Sequence, residues 1–168
     1  MAMNQGLLAE FDHEMAGTRK SLERVPYAKA DWKPHPKSWA LAALATHVAR
    51  LPGWAKETLT QDSLDLGAPG SEEWGKLMGS HAELMALFEK NVAAGRAAIA
   101  GTSDETFMQP WSLKTGETVH LTMPKIAVLR GFVLNHLIHH RAQLGVYLRL
   151  LDVPVPALFG PSADEQAM

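Results

Sequence analysis

Three histidines lie within five positions near the end of the chain, in the segment LNHLIHHRAQLGVYLRLLD that starts at Leu134. They are His136, His139 and His140, and the whole chain of 168 residues has only eight histidines. The other residues of the segment are mostly apolar, which is typical of a helix that faces a hydrophobic core. Imidazole groups at such positions either form hydrogen bonds inside the core or bind a metal ion.

Helical spacing separates these histidines into two groups. His136 and His140 are four residues apart, so they lie one turn apart on the apolar face and are expected to point into the protein. His139 shares this face less well and is expected to face a neighbouring helix or solvent. His47 lies on the apolar face of an earlier helix, at a compatible depth. We therefore expect His47, His136 and His140 to meet near the middle of the protein.

We interpret these three histidines as a candidate metal site. A buried imidazole without a hydrogen-bond partner would cost roughly 1–3 kcal/mol, and one divalent ion would satisfy all three. The i, i+4 pair matches the geometry of helical zinc-binding motifs. Three ligands leave a position open for water or substrate, as in catalytic zinc sites. The alternative is that each histidine is a separate core residue with its own hydrogen bond.

The nature of the ion follows only in part from the residue types. The chain has no cysteine, so a metal ion must be held by nitrogen and oxygen atoms. Imidazole suits Zn, Ni, Cu and Fe, and we expect Zn or Ni, with Fe or Mn as alternatives. The sequence places no Asp or Glu on these helix faces, which argues against a Glu-rich di-iron bundle and an HExxH mechanism. Such an ion would lower the pKa of a water, polarise a substrate oxygen or hold a thiolate.

Three further residues could contact the metal ligands without binding the ion themselves: His81, His139 and Tyr147. His81 also falls on an apolar helix face, so it could instead be a fourth ligand or a core residue. Arg141 and Gln143 flank the ligand positions and are expected on a solvated or interface face. Most of the five tryptophans are expected to be packing anchors, although they could line a pocket.

The remaining sequence supplies the elements that must position these histidines. Helical periodicity predicts four amphipathic helices, at residues 3–23, 39–60, 72–100 and 124–151. Ser38 and Ser71 are expected to cap the second and third helices, and Pro124 to begin the fourth. Four helices that each bury one apolar face predict an all-α fold, a four-helix bundle.

Two segments lack the helical period. The region between the third and fourth helices predicts a small hairpin around Thr115 and Gly116. Residues 152–168, which include several prolines, predict an irregular C-terminal tail. A chain of this length is expected to form one domain, residues 1–168.

Bulk composition argues against several kinds of partner. A net charge of −2 provides no basic face for nucleic acid. No run approaches about 18 apolar residues, and the N-terminus lacks the pattern of a signal peptide. We therefore expect a cytoplasmic protein with neither a nucleic-acid nor a membrane partner.

Two histidine-bearing segments resemble those of the DinB/YfiT-like family, which is distinct from the DNA polymerase that shares the DinB name. The first is ATHVARLPGW, which carries His47. The second is LNHLIHHRAQLGVYLRLLDVPVPALFGPSADE, with an H-x-x-x-H-R-x-Q core that begins at His136. The loop WKPHPKSW also fits, and the resemblance covers almost the whole chain in helix order and motif spacing.

This resemblance implies a four-helix bundle, usually homodimeric, with a divalent metal on His47, His136 and His140. Some relatives transfer low-molecular-weight thiols, and the family is commonly labelled metal-dependent hydrolase. The implied function is a metal-dependent enzyme acting on a small molecule, as a hydrolase or a thiol S-transferase. Thiol transfer fits the missing carboxylate base slightly better. The alternatives are a non-catalytic metal- or ligand-binding stress-response protein and a structural dimer with vestigial histidines.

Overall fold

A computed structural model describes residues 2–166 of the chain, most of which are helical. The α-helices, in chain order, are α1 (Met3–Leu22), α2 (Leu41–Arg50), α3 (Gly53–Thr60), α4 (His81–Gly101), α5 (Asp104–Phe107), α6 (Lys125–Val128) and α7 (His136–Leu150). Short 3-10 helices cover Tyr27–Lys29 and Ser71–Gly75. None of the helices within residues 2–166 has the length and apolar character that a membrane span requires.

Four of these helices pack around one hydrophobic core. α1 contacts α4 and α7, and α2 contacts the same two helices. Phe11, Leu44, Phe88 and Leu137 bring one buried side chain each from α1, α2, α4 and α7. Burying a side chain of this size stabilises the fold by about 1.5–3 kcal/mol. The shared core therefore holds α2 beside α7, and these are the two helices that carry the candidate ligands.

The prediction of an all-α chain is wrong in one respect, because the described residues include a three-stranded sheet. β2 (Pro110–Thr115) and β3 (Thr118–Pro124) form the predicted antiparallel hairpin, and Gly116 has a φ of 56° in its turn. β1 (Ser63–Asp65) pairs with β2 in parallel. This strand is too short to show a period of its own, and it exists only because β2 provides an edge.

The second predicted helix, 39–60, is divided into α2 and α3 at Pro52. Proline has no backbone N–H to donate to the carbonyl of Val48, so the helical hydrogen-bond ladder is interrupted there. Leu51, Ala55 and Leu59 are nevertheless buried on both sides of the break. The helical spacing of apolar residues therefore continues past Pro52, and for this reason it does not show that the helix is interrupted there.

Both serine N-cap predictions, Ser38 and Ser71, are wrong. α2 follows Ala40, whose side chain makes no capping hydrogen bond. α4 begins later than predicted, because the hydroxyl oxygen of Ser80 accepts a hydrogen bond from the backbone N–H of Glu83. The Glu83 carboxylate in turn accepts from the backbone N–H just before Ser80. This S-x-x-E capping box is a sequence signal for the true start of the helix.

The fourth predicted helix, 124–151, runs without a gap but is not uniform. Pro124 ends β3 and does not begin the helix, which starts at Lys125. A π-helical segment, Leu129–Asn135, joins α6 to α7. A π-turn contains one more residue than an α-turn, and such segments are frequent at functional sites.

The C-terminal tail is irregular, as predicted, over residues 152–166. Two ion pairs hold it in place: Glu165 pairs with Arg24, in the turn after α1, and Asp164 pairs with Arg149 of α7. Residues 167 and 168 of the predicted tail lie outside the described residues. A single domain spanning 1–168 stays a prediction.

Gly95 of α4 marks the close approach of this helix to the turn between α2 and α3. A Cβ there would lie 2.5 Å from the carbonyl oxygen of Pro52 and 3.1 Å from the ring of Phe11. We expect Gly95→Ala to lower the free energy of unfolding by about 1–3 kcal/mol, measured by urea denaturation. Gly6→Ala is the control, because a Cβ there meets nothing within 4 Å. Equal stability of the two variants would contradict this close approach.

Candidate metal centre

His47, His136 and His140 lie together in the structure. Nε2 of His136 is 3.3 Å from Nε2 of His47 and 2.9 Å from Nε2 of His140. The three potential ligand atoms all lie within 4.8 Å of one another. A tetrahedral ion with Zn–N bonds of about 2.0–2.1 Å separates its ligand nitrogens by roughly 3.3 Å. The spacing of the imidazoles therefore fits one ion of this kind.

The helices explain why these side chains converge at the edge of the core. His47 lies in the last turn of α2, between positions whose side chains are buried, and His136 begins α7. All three imidazoles are half-buried. The expectation that they point into the protein away from water is therefore only partly met. A half-buried cluster is open on one side, which a site for a substrate requires.

The imidazole of His136 is oriented by the π-helical segment that precedes it. It forms a hydrogen bond with the backbone of Phe132, which raises the pKa of His136, although burial has the larger effect and lowers it. Since Nε2 faces the other two histidines, Nδ1 makes this contact. A proton held on Nδ1 leaves the lone pair of Nε2 free to bind an ion.

Gln143 orients His140 in a similar way. Nδ1 of His140 donates a hydrogen bond of 2.7 Å to the amide oxygen of Gln143. The amide nitrogen of Gln143 donates to Nε2 of His139 at 3.0 Å. His139 therefore touches the ligands only through Gln143 and the edge of the neighbouring ring. The amide fixes the tautomer in which Nε2 of His140 can bind a metal.

Burial keeps the three imidazoles neutral. It lowers the pKa of His47 to about 4, with smaller contributions from the charges of His140 and His136. Burial is also the largest cause of the lowered pKa of His136 and of His140. A metal ligand must be unprotonated. At neutral pH this cluster therefore presents three free lone pairs.

Trp39 forms a wall of the site. Its indole ring stacks on His140, with 5.5 Å between centroids, and meets His47 edge-on at 5.2 Å. The hydroxyl of Tyr147 donates to the carbonyl oxygen of Trp39 at 3.1 Å, and Trp32 packs against the Tyr147 ring. Tyr147 thus acts on the site through Trp39 and does not contact a ligand nitrogen.

Two clefts border Trp39 as well as one of the three histidines. The first, the Tyr147 cleft, is about 400 Å³ and is bordered by Trp39, His140 and Tyr147. The second, the Arg50 cleft, is about 220 Å³ and is bordered by Trp39, His47 and Arg50.

A further cleft of about 360 Å³ borders His136 and His139, along the π-helical segment. A cavity of similar size beneath the C-terminal tail includes none of the three histidines. The clefts that border one of the three histidines are therefore the candidate entrances for a substrate.

Two of the other residues considered from the sequence have structural contacts. Nε2 of His81 lies 3.1 Å from the carbonyl oxygen of Leu22, away from the cluster. Arg141, expected on a solvated or interface face, is only 3% exposed and pairs with Glu14 at 2.7 Å. This correction arises because α1 covers that side of α7, which the sequence of α7 does not reveal.

Arg50 and Trp39 were not singled out from the sequence as site residues. Arg50 is three residues after His47, so helical spacing alone would place both on one face of α2. Trp39 has no such signal, because it precedes the helix. Its position depends on the loop before α2 and on the contact with Tyr147.

Comparisons with known proteins identify the family of the chain and its fold. The sequence profile of the DinB superfamily matches residues 10–144. The structure resembles a DinB-like protein from Bacillus cereus, with a TM-score of 0.69, 18% identity and coverage of 93% of this chain and 97% of that one. A DinB-like protein from Bacillus subtilis also has a TM-score of 0.69, with 15% identity and coverage of 97% and 99%. No curated protein sequence matches the chain.

A substitution at Gln143 tests whether this residue orients His140. We expect Gln143→Ala to weaken zinc binding about tenfold or more, because the Nδ1 proton of His140 loses its acceptor. The measurement is competition with a chromophoric chelator. His139→Ala, which removes the other partner of the same amide, is the control and should have a smaller effect. Equal losses in the two variants would show that Gln143 does not act through His140.

The lowered pKa values predict how the metal-free protein responds to acid. Between the ordinary histidine pKa of 6.5 and the value of about 4 for His47, the unfolded chain binds more protons than the folded one. The free energy of unfolding should therefore fall as the pH decreases through this range, in urea titrations with chelator present. His47→Gln should flatten this dependence, whereas His120→Gln on the exposed hairpin should not. An unchanged slope in His47→Gln would contradict the lowered pKa.

Proposed function

The chain belongs to the DinB superfamily, and from this premise we propose that it is a divalent-metal-dependent enzyme acting on a small molecule. The convergence of three Nε2 atoms on one point carries the proposal. His47, His136 and His140 would hold the ion, and no carboxylate of residues 2–166 joins their cluster. His140 borders the Tyr147 cleft and His47 borders the Arg50 cleft, and a substrate has access to the cluster through these clefts.

Three imidazole ligands without a neighbouring carboxylate among residues 2–166 favour one of the two proposed reactions. When bound, a divalent ion would supply a Lewis acid that lowers the pKa of a water or of a thiol. Hydrolysis also needs a group that takes the proton from water, and the histidine cluster offers no Asp or Glu for this. A thiol has an ordinary pKa of about 8.5, so it loses its proton with less help. We therefore favour thiol transfer over hydrolysis, with a low-molecular-weight thiol as one substrate.

The protein residues have separate tasks in this proposal. Phe132 and Gln143 hold protons on the outer nitrogens of His136 and His140, so the inner nitrogens stay available. Trp39 covers one side of the cluster and limits the access of water. Imidazole ligands suit Zn, Ni, Cu and Fe, and the ion that we propose is Zn or Ni, with Fe or Mn as alternatives.

The assembly is a further part of the proposal. Val146 and Leu150 lie one turn apart on α7 and are 59% and 56% exposed. Two such side chains on an exposed helix face favour a contact with a second copy of the chain. We therefore propose that the chain forms a homodimer. The proposed location is the cytoplasm.

The second candidate function is a non-catalytic metal- or ligand-binding protein of the stress response. The same observation that disfavours hydrolysis supports it, since no carboxylate base accompanies the three histidines. The enzyme and the metal-binding form of the second function differ in turnover and not in metal content.

Metal analysis and activity together test these functions. We expect untagged protein to bind about one zinc or nickel ion per chain, and His136→Ala to lose it, because three ligands become two. His120→Ala is the control, since that exposed histidine lies on the hairpin and bonds to Thr115. A wild-type protein that binds no stoichiometric ion would contradict the enzyme and the metal-binding protein, and would leave only the ligand-binding form of the second function.

The activity arm uses metal-loaded protein with a panel of thiols plus electrophilic acceptors and a panel of esters. Thiol transfer should be lost in His47→Ala and kept in His120→Ala. Full metal content without turnover in either panel would favour the binding protein, and activity that survives His47→Ala would contradict the mechanism.

A further inference from the structure

Arg50 is a buried cation without a carboxylate partner. It lies one turn after His47 on α2, and only 9% of it is exposed. Its terminal nitrogens donate to the backbone carbonyl oxygens of Glu73 and Lys76. Its Nε has no hydrogen-bond partner within residues 2–166, and no carboxylate there forms an ion pair with it. A buried charge whose hydrogen bonds go only to neutral carbonyls is costly, so an anion in contact with it would be stabilising.

The two charged residues that border the Arg50 cleft and the Glu73 carboxylate that interacts with both sum to one positive charge. Lys76 borders the cleft with its side chain 66% exposed, and its Nζ lies 3.9 Å from the carboxylate of Glu73. Glu73 also acts on Arg50 through its charge and raises its pKa, although burial lowers that pKa more strongly. Two cations and one anion leave a single charge uncompensated. A monoanion would balance it, whereas a dianion would overcompensate.

Two tryptophans provide the large apolar surfaces of the cleft. Trp39 and Trp74 both border it, and Trp74 is held edge-on against Trp54, with 5.9 Å between ring centroids. Indole faces provide flat apolar surfaces with little freedom to adapt. The volume of about 220 Å³ is below the roughly 300–1,000 Å³ of drug-sized pockets. The cleft therefore suits one small, flat group.

The cleft is continuous with the candidate metal centre. His47 borders it from the same helix face as Arg50, and Trp39 contacts both His47 and His140. A molecule whose charged end lies near Arg50 therefore extends towards the three histidines.

From this arrangement we propose that the Arg50 cleft binds the carboxylate of a small organic acid with a flat apolar body. The carboxylate lies near Arg50 and Lys76, the body lies between Trp39 and Trp74, and the other end faces the histidines. This assigns a substrate class to the site, and its place in a reaction rests on the proposed function. The binding itself depends only on residues of the cleft.

A purely structural role for Arg50 makes a different prediction. The two carbonyl contacts also hold the 3-10 helix Ser71–Gly75 and the residue after it, Lys76, against α2. If Arg50 served only this purpose, the cleft would not distinguish a carboxylate from a neutral group of the same shape. A matched acid and amide therefore separate the two roles.

The experiment uses the full chain with its metal removed by chelator, and phenylacetate and phenylacetamide as probes. Binding is followed by NMR through the indole N–H signals, assigned with Trp39→Phe and Trp74→Phe. We expect phenylacetate to shift the signals of Trp39 and Trp74 and to leave that of Trp111, which is 1% exposed, unchanged. Phenylacetamide should bind about tenfold more weakly, because it lacks the charge that Arg50 and Lys76 recognise. Equal affinity for the two probes would overturn the proposal.

Substitutions test whether residues of the Arg50 cleft cause the preference for phenylacetate over phenylacetamide. Arg50→Gln should weaken phenylacetate binding about tenfold, and Lys76→Gln about threefold, since its charge is shared with Glu73. Lys76 is exposed, so this second variant keeps the test valid if Arg50→Gln does not fold. Lys37→Gln is the control, because it removes an exposed lysine from the Tyr147 cleft. An unchanged affinity in Lys76→Gln, or an equal loss in Lys37→Gln, would contradict the assignment.

The use of metal-free protein separates this result from the proposed function. If the chain binds no metal but still selects phenylacetate, the carboxylate site stands and the enzyme proposal fails. If phenylacetate binds only when metal is loaded, the acid contacts the ion, and the Arg50 site is wrong while the enzyme proposal stands.

Discussion

The separation of α2 and α7 is the constraint on which the candidate site depends. His47 on one helix and His136 on the other must keep their Nε2 atoms 3.3 Å apart, so a small relative shift of the helices would separate the ligands. The buried ion pair between Arg141 and Glu14 adds to this constraint, because it attaches α7 to α1 directly beside His140. Removing one partner of such a pair leaves an uncompensated buried charge and costs about 3–5 kcal/mol. Thus α1 helps to position the site without contributing a ligand.

The protonation state of the three imidazoles favours metal binding, as their positions do. Burial disfavours the charged form of all three imidazoles. The backbone of Phe132 and the amide of Gln143 then hold the remaining protons on the outward-facing nitrogens of His136 and His140. Orientation by such outer contacts commonly strengthens metal binding. The cluster therefore meets the electrostatic and the geometric requirements of a metal site together.

The walls of the clefts have a different origin from the ligands. The histidines lie on the core helices α2 and α7, whereas Trp39, Trp74 and Lys76 come from the segments that precede α2 and α4. Function commonly resides in connecting segments that a rigid scaffold positions. In this protein the helices determine where an ion could be held, and the connections determine which molecule reaches it. The similarity to the two DinB-like structures, at 18% and 15% identity, concerns the fold alone.

Local periodicity was enough to place His136 and His140 on one helix face, to separate His139 from them and to locate the hairpin. These features depend on residues three or four positions apart, or on a single turn, so the sequence by itself determines them. The half-burial of the histidines, the pairing of β1 with β2 and the carbonyl partners of Arg50 were decided only by the tertiary structure. Each depends on a segment distant in the chain, and no local pattern encodes which surface will cover a given residue.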